Sequence, residues 1–481
     1  MKRPSSLSAA LVLCLLASAP SRADDGDLDE SFSGDGKQTI AFDHGQDDRD
    51  RGQAVTGFGS GRIVVVGDKQ QVNAGDTDIG VVALTPSGAL DETFGNLGTT
   101  SVYFDLGGDN EDRSTAVAAM KDGRFVLCGT AKYQGTSNWM QRLVVARFLA
   151  SGFIDPSFGP FDDGKVVLTP FNHPDTYVHA CKSIVVQDDG KIVVPFQSDE
   201  YFETGLIRLE EDGDLDPTFG GDGISEMPFC PTHETRCEFL EVLPLPGGKY
   251  MAIGTRKEVA GELDVQWLFF ARYTSSGLLD TSFSGDGQAI VGVPPGSVQD
   301  EAHLPAAAAL DPQGRIVVLE RLSGVGVSIH LLVRIDANGN VDPTFSGDGW
   351  QQVAWIAGSP RPADGANGLI IQGDGKLIVT GFHPFTATDF DCVAMRFTAN
   401  AASLDASFGS NGRRFIAFDM GLTEDTDKCH GVSAADGRPL LAGEVMVQSD
   451  LEFGVARLTN AYIFIDGFEI GSRFFWSDTA P

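Results

Sequence analysis

A five-residue motif, an aliphatic residue followed by Asp-x-Ser/Thr-Phe, returns along this chain at nearly constant spacing. Its first positions are residues 28, 90, 154, 215, 279, 341 and 404, so consecutive copies lie 61 to 64 residues apart. Self-similarity at a fixed period indicates a repeat architecture, in which each copy is one structural unit. The sequence therefore predicts seven similar units.

The motif has the chemistry of an anchored turn. Asp can bond its own backbone two residues on, Pro suits the next position, and the two apolar residues supply buried anchors. We call this motif with the glycine-rich residues after it the clip, and interpret it as a structural device; a repeated acidic ligand site is the alternative. The clip residues are Leu28, Asp29, Phe32, Leu90, Asp91, Phe94, Asp155, Phe158, Asp216, Phe219, Asp280, Phe283, Asp342, Phe345, Asp405 and Phe408.

Each unit divides into four short apolar runs, which in the second unit are residues 100–104, 115–120, 124–129 and 143–148. Asp-Gly separates the second and third runs in most units, and Asp-Gly between β-branched runs is a strong hairpin signal that predicts a two-residue turn. No stretch shows a sustained helical period. Seven groups of four strands predict an all-β, seven-bladed β-propeller with four antiparallel strands per blade.

The second runs carry the smallest side chains, for example the alanines at 306–309. Small side chains suit the crowded centre of a ring, so we expect the second run to be innermost and the first run outermost. The N-terminal run, 37–42, should then pair with the C-terminal run, 454–458, and close the ring. An arrangement in which each unit forms its own blade stays open.

The spacing and motifs resemble the delta-60 repeat family, which comprises predicted β-propeller modules of secreted bacterial proteins. The resemblance rests on the clips and on Asp-Gly-Lys-Ile-Val-Val at 189–194, and it extends over about residues 28–458. It implies a propeller, and it brings no catalytic residue that can be carried over to this chain.

The N-terminus has the features of a secretory signal peptide. Lys2 and Arg3 precede an apolar run at 7–17, and small residues at 21 and 23 predict cleavage after Ala23. We therefore expect a signal peptide at 1–23, the propeller at 24–460, and a short tail at 461–481. The tail is either a sorting element or an apolar strand docked on the propeller. The expected location is secreted, periplasmic or at the cell surface.

The formal net charge is −32. A negative field of this size disfavours nucleic acid and anionic membrane surfaces as partners. No later stretch is apolar enough to cross a membrane, and we expect a soluble monomer.

Six cysteines follow the predicted signal peptide, and an even number in an exported chain indicates disulfides. Cys230 and Cys237 flank a short polar loop and form the predicted pair; a zinc site that includes His233 is the weaker alternative. Cys392 and Cys429 are candidates for a bond between neighbouring units. Cys128 lies within a predicted strand, where it could be an inert buried thiol.

Acidic residues cluster after three of the first runs, where the chain reads Phe-Asp-x-Gly followed by further acids. Oxygen ligands on glycine-bearing loops suit Ca²⁺, so calcium is the one cofactor the sequence suggests. Solvated loops are the alternative interpretation. The candidate ligands are Asp43, Asp47, Asp105, Asp109, Asp419 and Asp425.

The eight histidines are scattered, and the chain contains neither a zinc-protease helix motif nor a serine-hydrolase elbow nor a P-loop. These observations favour a non-enzymatic binding or structural module with a protein or glycan ligand. The alternative is an extracellular polysaccharide hydrolase or lyase with its site at the central opening. Titratable groups with perturbed pKa values at one end of the axis would favour the enzyme.

Overall fold

The computed structural model describes residues 25–42, 49–70, 76–107, 110–134, 139–169, 181–197, 203–227, 235–260, 263–292, 302–324, 327–356, 364–386, 388–418, 426–447 and 450–460. Within these ranges every regular element is a β-strand, as the repeat predicts. The predicted signal peptide, the tail from 461 and most of the acidic loops lie outside them.

Twenty-eight strands make up the described fold. They are β1 (Lys37–Ile40), β2 (Arg51–Gly57), β3 (Ile63–Gln70), β4 (Thr77–Leu84), β5 (Thr99–Val102), β6 (Asp112–Ala119), β7 (Phe125–Gln134), β8 (Trp139–Phe148), β9 (Lys165–Leu168), β10 (Val185–Val186), β11 (Ile192–Gln197), β12 (Thr204–Leu209), β13 (Ile224–Glu226), β14 (Thr235–Leu245), β15 (Lys249–Ala260), β16 (Leu263–Tyr273), β17 (Gln288–Val291), β18 (Ala302–Leu310), β19 (Ile316–Gly324), β20 (Val327–Ile335), β21 (Trp350–Val353), β22 (Gly365–Ile371), β23 (Leu377–Pro384), β24 (Phe390–Phe397), β25 (Arg413–Ile416), β26 (Lys428–Ala435), β27 (Arg438–Val447) and β28 (Asp450–Arg457).

These strands form seven antiparallel four-stranded sheets, the blades. Blade 1 has the order β2-β3-β4-β5, and blades 2 to 6 repeat it with β6–β9, β10–β13, β14–β17, β18–β21 and β22–β25. The first strand of each blade contacts the first strand of its neighbour, so these inner strands surround the axis. The second run is therefore innermost and the first run outermost, as predicted, and units that are each their own blade are excluded.

Blade 7 takes its outer strand from the N-terminus and has the order β26-β27-β28-β1. Lys37 lies opposite Ala456, and Ile40 lies opposite Phe453, in antiparallel register. The predicted closure is confirmed, with a pairing shifted slightly from the predicted one. Joining the ends of the chain in one sheet removes the exposed edge that an open array would leave.

Five of the innermost hairpins differ from the predicted two-residue turns, and the one at Asp436-Gly437 agrees with the prediction. At Asp122-Gly123, the Gly123 N–H donates to the Met120 carbonyl, so the turn spans four residues and ends on glycine. The same bond closes the turns at 58–61, 187–190, 311–314 and 372–375. At Asp436-Gly437 both residues have positive φ (+51° and +70°), as a two-residue hairpin turn requires.

The core lies between blades, where the faces of neighbouring sheets pack together. Successive side chains of a central strand point to opposite faces of its sheet, and both faces are buried. The sequences of these strands are therefore continuously apolar, as at Ile63 to Val66. The outer strands are short and half-exposed, which limits pairing with other chains.

Among the described residues, two disulfides join neighbouring blades. Cys128 on β7 bonds to Cys181, which precedes β10, and Cys392 on β24 bonds to Cys429 on β26. The expected bond between units at Cys392 and Cys429 is confirmed, and the interpretation of Cys128 as a buried free thiol is wrong. Sequence position could not reveal the partner of Cys128, because the blades meet face to face.

Candidate functional site

The clips form one recurring arrangement, which we call the clamp. In blade 3, Asp216 accepts hydrogen bonds from the Thr218 hydroxyl and backbone N–H, as an anchored turn requires. Its second oxygen, Oδ2, receives Arg208 Nε at 2.6 Å and Lys191 Nζ at 2.7 Å. The Arg208 guanidinium lies 4.6 Å from the centre of the clip ring Phe219, and both clip side chains are fully buried.

The same arginine connects the clip to the next blade. Arg208 Nη1 donates to the Ser275 carbonyl of blade 4 at 2.5 Å, and the Gly220 N–H donates to the Ser276 carbonyl. Gly277 has φ +82°, and an added Cβ would lie 2.8 Å from Gly220 N. Each clamp therefore binds its own turn and also fixes the neighbouring blade at close range.

The clamp recurs around the ring with one substitution. The arginines that contact clip aspartates from the third strand of a blade are Arg147, Arg208, Arg272, Arg334, Arg396 and Arg457. At blade 1, Ala83 occupies the corresponding position, and Arg62 reaches both Asp91 at 2.8 Å and the Ala150 carbonyl of blade 2. Arg457 pairs with Asp29, so the last clamp joins the two ends of the chain.

The clip aspartates are held ionised. Burial would raise the pKa of Asp280, but bonds from Lys249 and Ser282 and the charge of Arg272 outweigh it, so the pKa lies below its ordinary value. The pKa values of Asp29, Asp155, Asp342 and Asp405 are lowered against burial by corresponding contacts. These carboxylates are fully committed to cations within the fold, so the structural interpretation of the clip holds.

Sequence reasoning recognised the aspartates and missed their cations. A signal was present: in four units an arginine precedes the clip aspartate by eight residues, as Arg147 precedes Asp155. The antiparallel bridge between Phe148 and Ile154 folds the chain back, which brings the two side chains together.

An open cavity of about 740 Å³ follows the axis of the ring. Inner strands of all seven blades contribute to its wall, through residues such as Val55, Val117, Val242, Leu369 and Val432. The wall is mainly apolar, with hydroxyls such as that of Ser183 between the aliphatic side chains. A concave, largely apolar space with a few polar groups is the usual form of a ligand site.

A second cavity of about 580 Å³ lies at the end of the axis where the innermost hairpins turn, which we call the turn face. The turns of blades 3 to 6 form its wall, and Val186, Pro244, Leu310 and Ile371 border both cavities. The two cavities therefore adjoin along the axis, and we call them together the axial channel.

The opposite end, the loop face, is where the predicted acidic loops enter the inner strands. Here an arc of alternating charges extends over blades 7, 1 and 2. Glu444 contacts Arg51 at 3.0 Å and Lys428 at 3.2 Å, so it links blade 7 to blade 1. Burial opposes ionisation of Glu444, but His430, Lys428 and Arg51 lower its pKa to about 2.

Asp68 continues the arc beside Arg113 of blade 2, which contacts Glu111 at 2.5 Å. Burial raises the pKa of Asp68 to about 6, although Arg113 and Arg51 oppose the rise. Perturbed titratable groups thus occur at this end of the axis. Sequence reasoning missed them because they lie in different units.

Glu241 on β14 is the single long side chain at a position that is small in every other blade. Its counterparts are Ala54, Ala116, Ser183, Ala307, Gly368 and Gly431. Burial raises the pKa of Glu241 to about 8, although Ser183 and Lys182 of blade 3 counteract it. This carboxyl is therefore mostly protonated at neutral pH.

The predicted calcium ligands are mostly not described. Asp43, Asp47, Asp109, Asp419 and Asp425 lie outside the described residues, and Asp105 is exposed with φ +46°. Within the described parts of the chain, no three His, Cys, Asp or Glu side chains are grouped so that they could hold a metal ion. Calcium binding remains a prediction.

A different aspartate in the same segment has a structural role. Asp112 is fully buried, and its Oδ2 accepts the Phe104 N–H at 2.5 Å, which ties the end of the first run to the inner strand. Asp50 and Asp427 accept the N–H groups of Phe42 and Phe418 in the same way. Burial raises the pKa of Asp112 to about 7, and the charges of Asp105 and Asp78 add to the rise.

The structure describes only one of the two cysteines of the predicted loop disulfide. Cys237 is disulfide-bonded and buried on β14, while Cys230 lies outside the described residues. The pairing of these two cysteines therefore stays a prediction. The described residues include no helix able to span a bilayer.

Solved structures with related shapes resemble this chain only distantly. The polysaccharide lyase Uly1 is 10% identical with a TM-score of 0.49, over 91% of this chain and 97% of the lyase. A Trypanosoma rangeli sialidase is 10% identical with a TM-score of 0.37, over 85% of this chain and 54% of the sialidase. An endo-arabinase from Bacteroides thetaiotaomicron is 13% identical with a TM-score of 0.33, over 58% of this chain and 93% of the arabinase. Likenesses this weak support no conclusion about activity.

No curated protein matches the chain. Three segments, residues 59–94, 121–158 and 187–219, match the model of a β-propeller domain of unknown function, DUF5122. Each segment begins near an innermost hairpin turn and ends at a clip phenylalanine, so the matched unit is the one that carries the clamp. The chain thus contains repeats similar to the DUF5122 β-propeller domain.

Proposed function

We propose that this protein is an exported, non-enzymatic binding module, built from repeats of the delta-60 type, that takes its ligand at the axis of the propeller. The observation that carries the proposal is the axial channel, whose wall comes from all seven blades. The ligand is a protein segment or a glycan, and the chain acts as a monomer.

The construction of the ring supports this proposal. The clamps and the two disulfides between blades fix neighbouring sheets against each other. A rigid wall favours affinity, because a preorganised site loses little conformational entropy when the ligand binds. The inner strands can thus serve as a fixed receptor.

Charge and cysteine chemistry support the proposed compartment and exclude some partners. The net charge of −32 disfavours polyanions, including nucleic acids. Disulfides persist mainly in oxidising environments, which agrees with export to the periplasm, the cell surface or the medium.

The test is a screen of the mature chain against glycan and protein arrays, repeated with the channel filled. Ala119 borders the axial cavity, so Ala119→Trp should obstruct it. Val167→Trp on the outer strand β9 adds the same group to an exposed position and is the matched control. We expect binding to be lost in the first variant and kept in the second, with unchanged circular dichroism. Equal binding by both variants would rule out the axial site.

A second candidate is a polysaccharide hydrolase or lyase at the centre of the propeller, and carboxyls with perturbed pKa values favour it. Asp68 and Glu444 are such groups at the loop face, and Glu241 is another, which bonds Ser183 in the wall of the axial cavity. A carboxyl that keeps its proton near neutral pH is a suitable general acid. Incubation with polysaccharides should then release reducing ends or unsaturated products, and Glu241→Gln should abolish the release. Turnover that survives Glu241→Gln would remove this residue from the reaction.

A further inference from the structure

The described part of the chain ends at the turn face, beside the axis. After β28, the Leu458 N–H donates to the Pro439 carbonyl, and the Asn460 side-chain amide donates to the Gly437 carbonyl at 2.7 Å. Gly437 belongs to the innermost hairpin turn of blade 7. The neighbouring blade 6 borders the turn-face cavity through its own innermost turn, at 372–373. Residues 461–481 therefore start one blade away from this cavity.

The turn face is also the end of the propeller where exposed apolar side chains concentrate. Clips lie at the same end as the innermost turns, because Lys191, next to the turn at 187–190, bonds the clip carboxylate of Asp216. Half of the large apolar side chains that are exposed in the described structure belong to clips or directly precede them, namely Leu97, Phe153, Phe161, Leu215 and Leu278. Apolar surface gathered at one end of a protein indicates an interaction surface.

The cavity at this face has an apolar wall with acidic groups. Val186, Leu310 and Ile371 line it together with the proline rings at 244, 246 and 312. Asp188 and Asp189 belong to the same wall. The Asp188 carboxylate contacts Lys121 at 3.1 Å but is 68% exposed, so it can accept a second cation. An apolar group with a positive charge beside it complements this wall.

The tail, residues 461–481, has this composition. Arg473 directly precedes Phe474-Phe475-Trp476, which we call the aromatic triplet. Aromatic side chains bury the largest apolar areas, so they gain most from a site out of water. The other large apolar residues of the tail are Ile463, Phe464, Ile465, Phe468 and Ile470.

The length of the tail permits docking on its own chain. Residue 473 can lie up to about 45 Å from residue 460 when the chain between them is extended. A compact domain of this length has a radius of gyration of about 22 Å, so the cavity is within reach. A segment tethered this closely is present at an effective concentration on the order of millimolar, so modest contacts suffice to hold it.

We propose that the tail docks on the turn face of its own propeller, with the aromatic triplet in the turn-face cavity and Arg473 beside Asp188 and Asp189. The docked tail occupies one end of the axial channel, so it competes with any ligand that binds there. This inference rests on the proposed function, because it describes how access to the axial site is regulated.

Photo-cross-linking of the full mature chain tests the docking. Phe475 is replaced by p-benzoylphenylalanine, the protein is irradiated, and the cross-links are mapped by mass spectrometry. We expect cross-links within one chain to the cavity wall, at residues 186–189, 244–250, 310–314 and 371–373. The control places the same group at Val167, an exposed position of the outer strand β9, and should give no cross-link to this wall. Cross-links from position 475 to other surfaces, to a second copy, or to no part of the propeller would overturn the inference.

Ligand affinity tests the competition. Phe474→Ser, Phe475→Ser and Trp476→Ser together remove the aromatic triplet. If the tail is docked in about 90% of the molecules, this variant should bind the ligand found in the array screen about tenfold more tightly than the parent. The matched control replaces Ile463, Phe464 and Ile465 by serine, removes as many apolar side chains from the same tail, and should bind like the parent.

The two measurements separate this inference from the proposed function. Equal ligand affinity of the parent and the triplet variant would overturn the competition and leave the axial binding module intact. If the array screen finds no ligand, the proposed function fails, whereas cross-links from position 475 to the cavity wall would still establish the docked tail.

Discussion

Arg208 of blade 3 donates to Asp216 across 2.6 Å, and the same guanidinium donates to the Ser275 carbonyl of blade 4. One side chain thus completes its own turn and fastens the next blade. Since Asp216 is fully buried, its loss would leave the Arg208 guanidinium without a carboxylate partner, whereas Lys191 would keep Glu210.

Asp216→Ala should destabilise the protein by about 3–5 kcal/mol, the cost of breaking a buried ion pair from one side. Urea unfolding followed by tryptophan fluorescence measures this loss. The control is Asp222→Ala in the same clip, because Asp222 is exposed and accepts only the Ile224 N–H, so it should cost less than about 1 kcal/mol. Equal losses would contradict the clamp.

Asp112→Asn should stabilise the protein more at about pH 8 than at about pH 4. Burial raises the pKa of Asp112 from 3.8 to about 7, so between these values the unfolded chain ionises the group and the folded chain keeps it protonated. Its contribution to stability therefore falls as the pH rises through this window, and asparagine removes that dependence.

Asp50→Asn is the matched control for Asp112→Asn, because both oxygens of Asp50 accept backbone N–H groups, those of Gln70 and Phe42. Asparagine has one acceptor oxygen and so keeps one of these bonds, but its amide nitrogen cannot accept the other, and this variant should lose stability. Urea unfolding at the two pH values makes the comparison. If Asp112→Asn and the parent showed the same pH dependence of the free energy of unfolding, Asp112 would ionise freely in the fold.

Calcium should raise the melting temperature if the acidic segments bind it, because a ligand that binds only the folded state stabilises that state. Thermal unfolding in millimolar calcium, in magnesium and in chelator provides the measurement. Asp105, together with the candidates outside the described residues, would supply the ligands. If the thermal unfolding curves were the same in all three conditions, the calcium prediction would be wrong.

Cys230 and Cys237 should be linked in exported protein. Cys237 is already disulfide-bonded in the fold, and the short loop before it makes Cys230 the expected partner. Proteolysis without reduction, followed by mass spectrometry, should recover one cross-linked peptide that contains both. A peptide joining Cys237 to any other cysteine would refute the pair.

The periodicity predicted the fold because every repeat has the same local sequence pattern of turn residues and strand-forming runs. Clip turns and strand runs recur, so the blade count, the strand order and the closure between β1 and β28 followed from the sequence. The boundaries of the innermost turns did not, because glycine at the last position, as at Gly123, suits a longer turn equally well.

The candidate site was much less predictable. The disulfide partner of Cys128 and one ion-pair partner of Glu444, Arg51, come from neighbouring blades, and no local pattern records which faces meet. The repeat also conceals exceptions: Glu241 became informative only when the strand register showed what its counterparts are in other blades.

Closure of the ring is the claim on which the channel and the clamps depend, and hydrogen exchange of the native chain tests it most directly. Amides of β1, at Lys37–Ile40, should be protected and should exchange together with those of β28, at Asp450–Arg457, because the two strands share one ladder. Deletion of residues 24–44 should then expose β28 and lower the stability of the whole domain. Rapid exchange at 37–40 while β28 stays protected would contradict the closed ring.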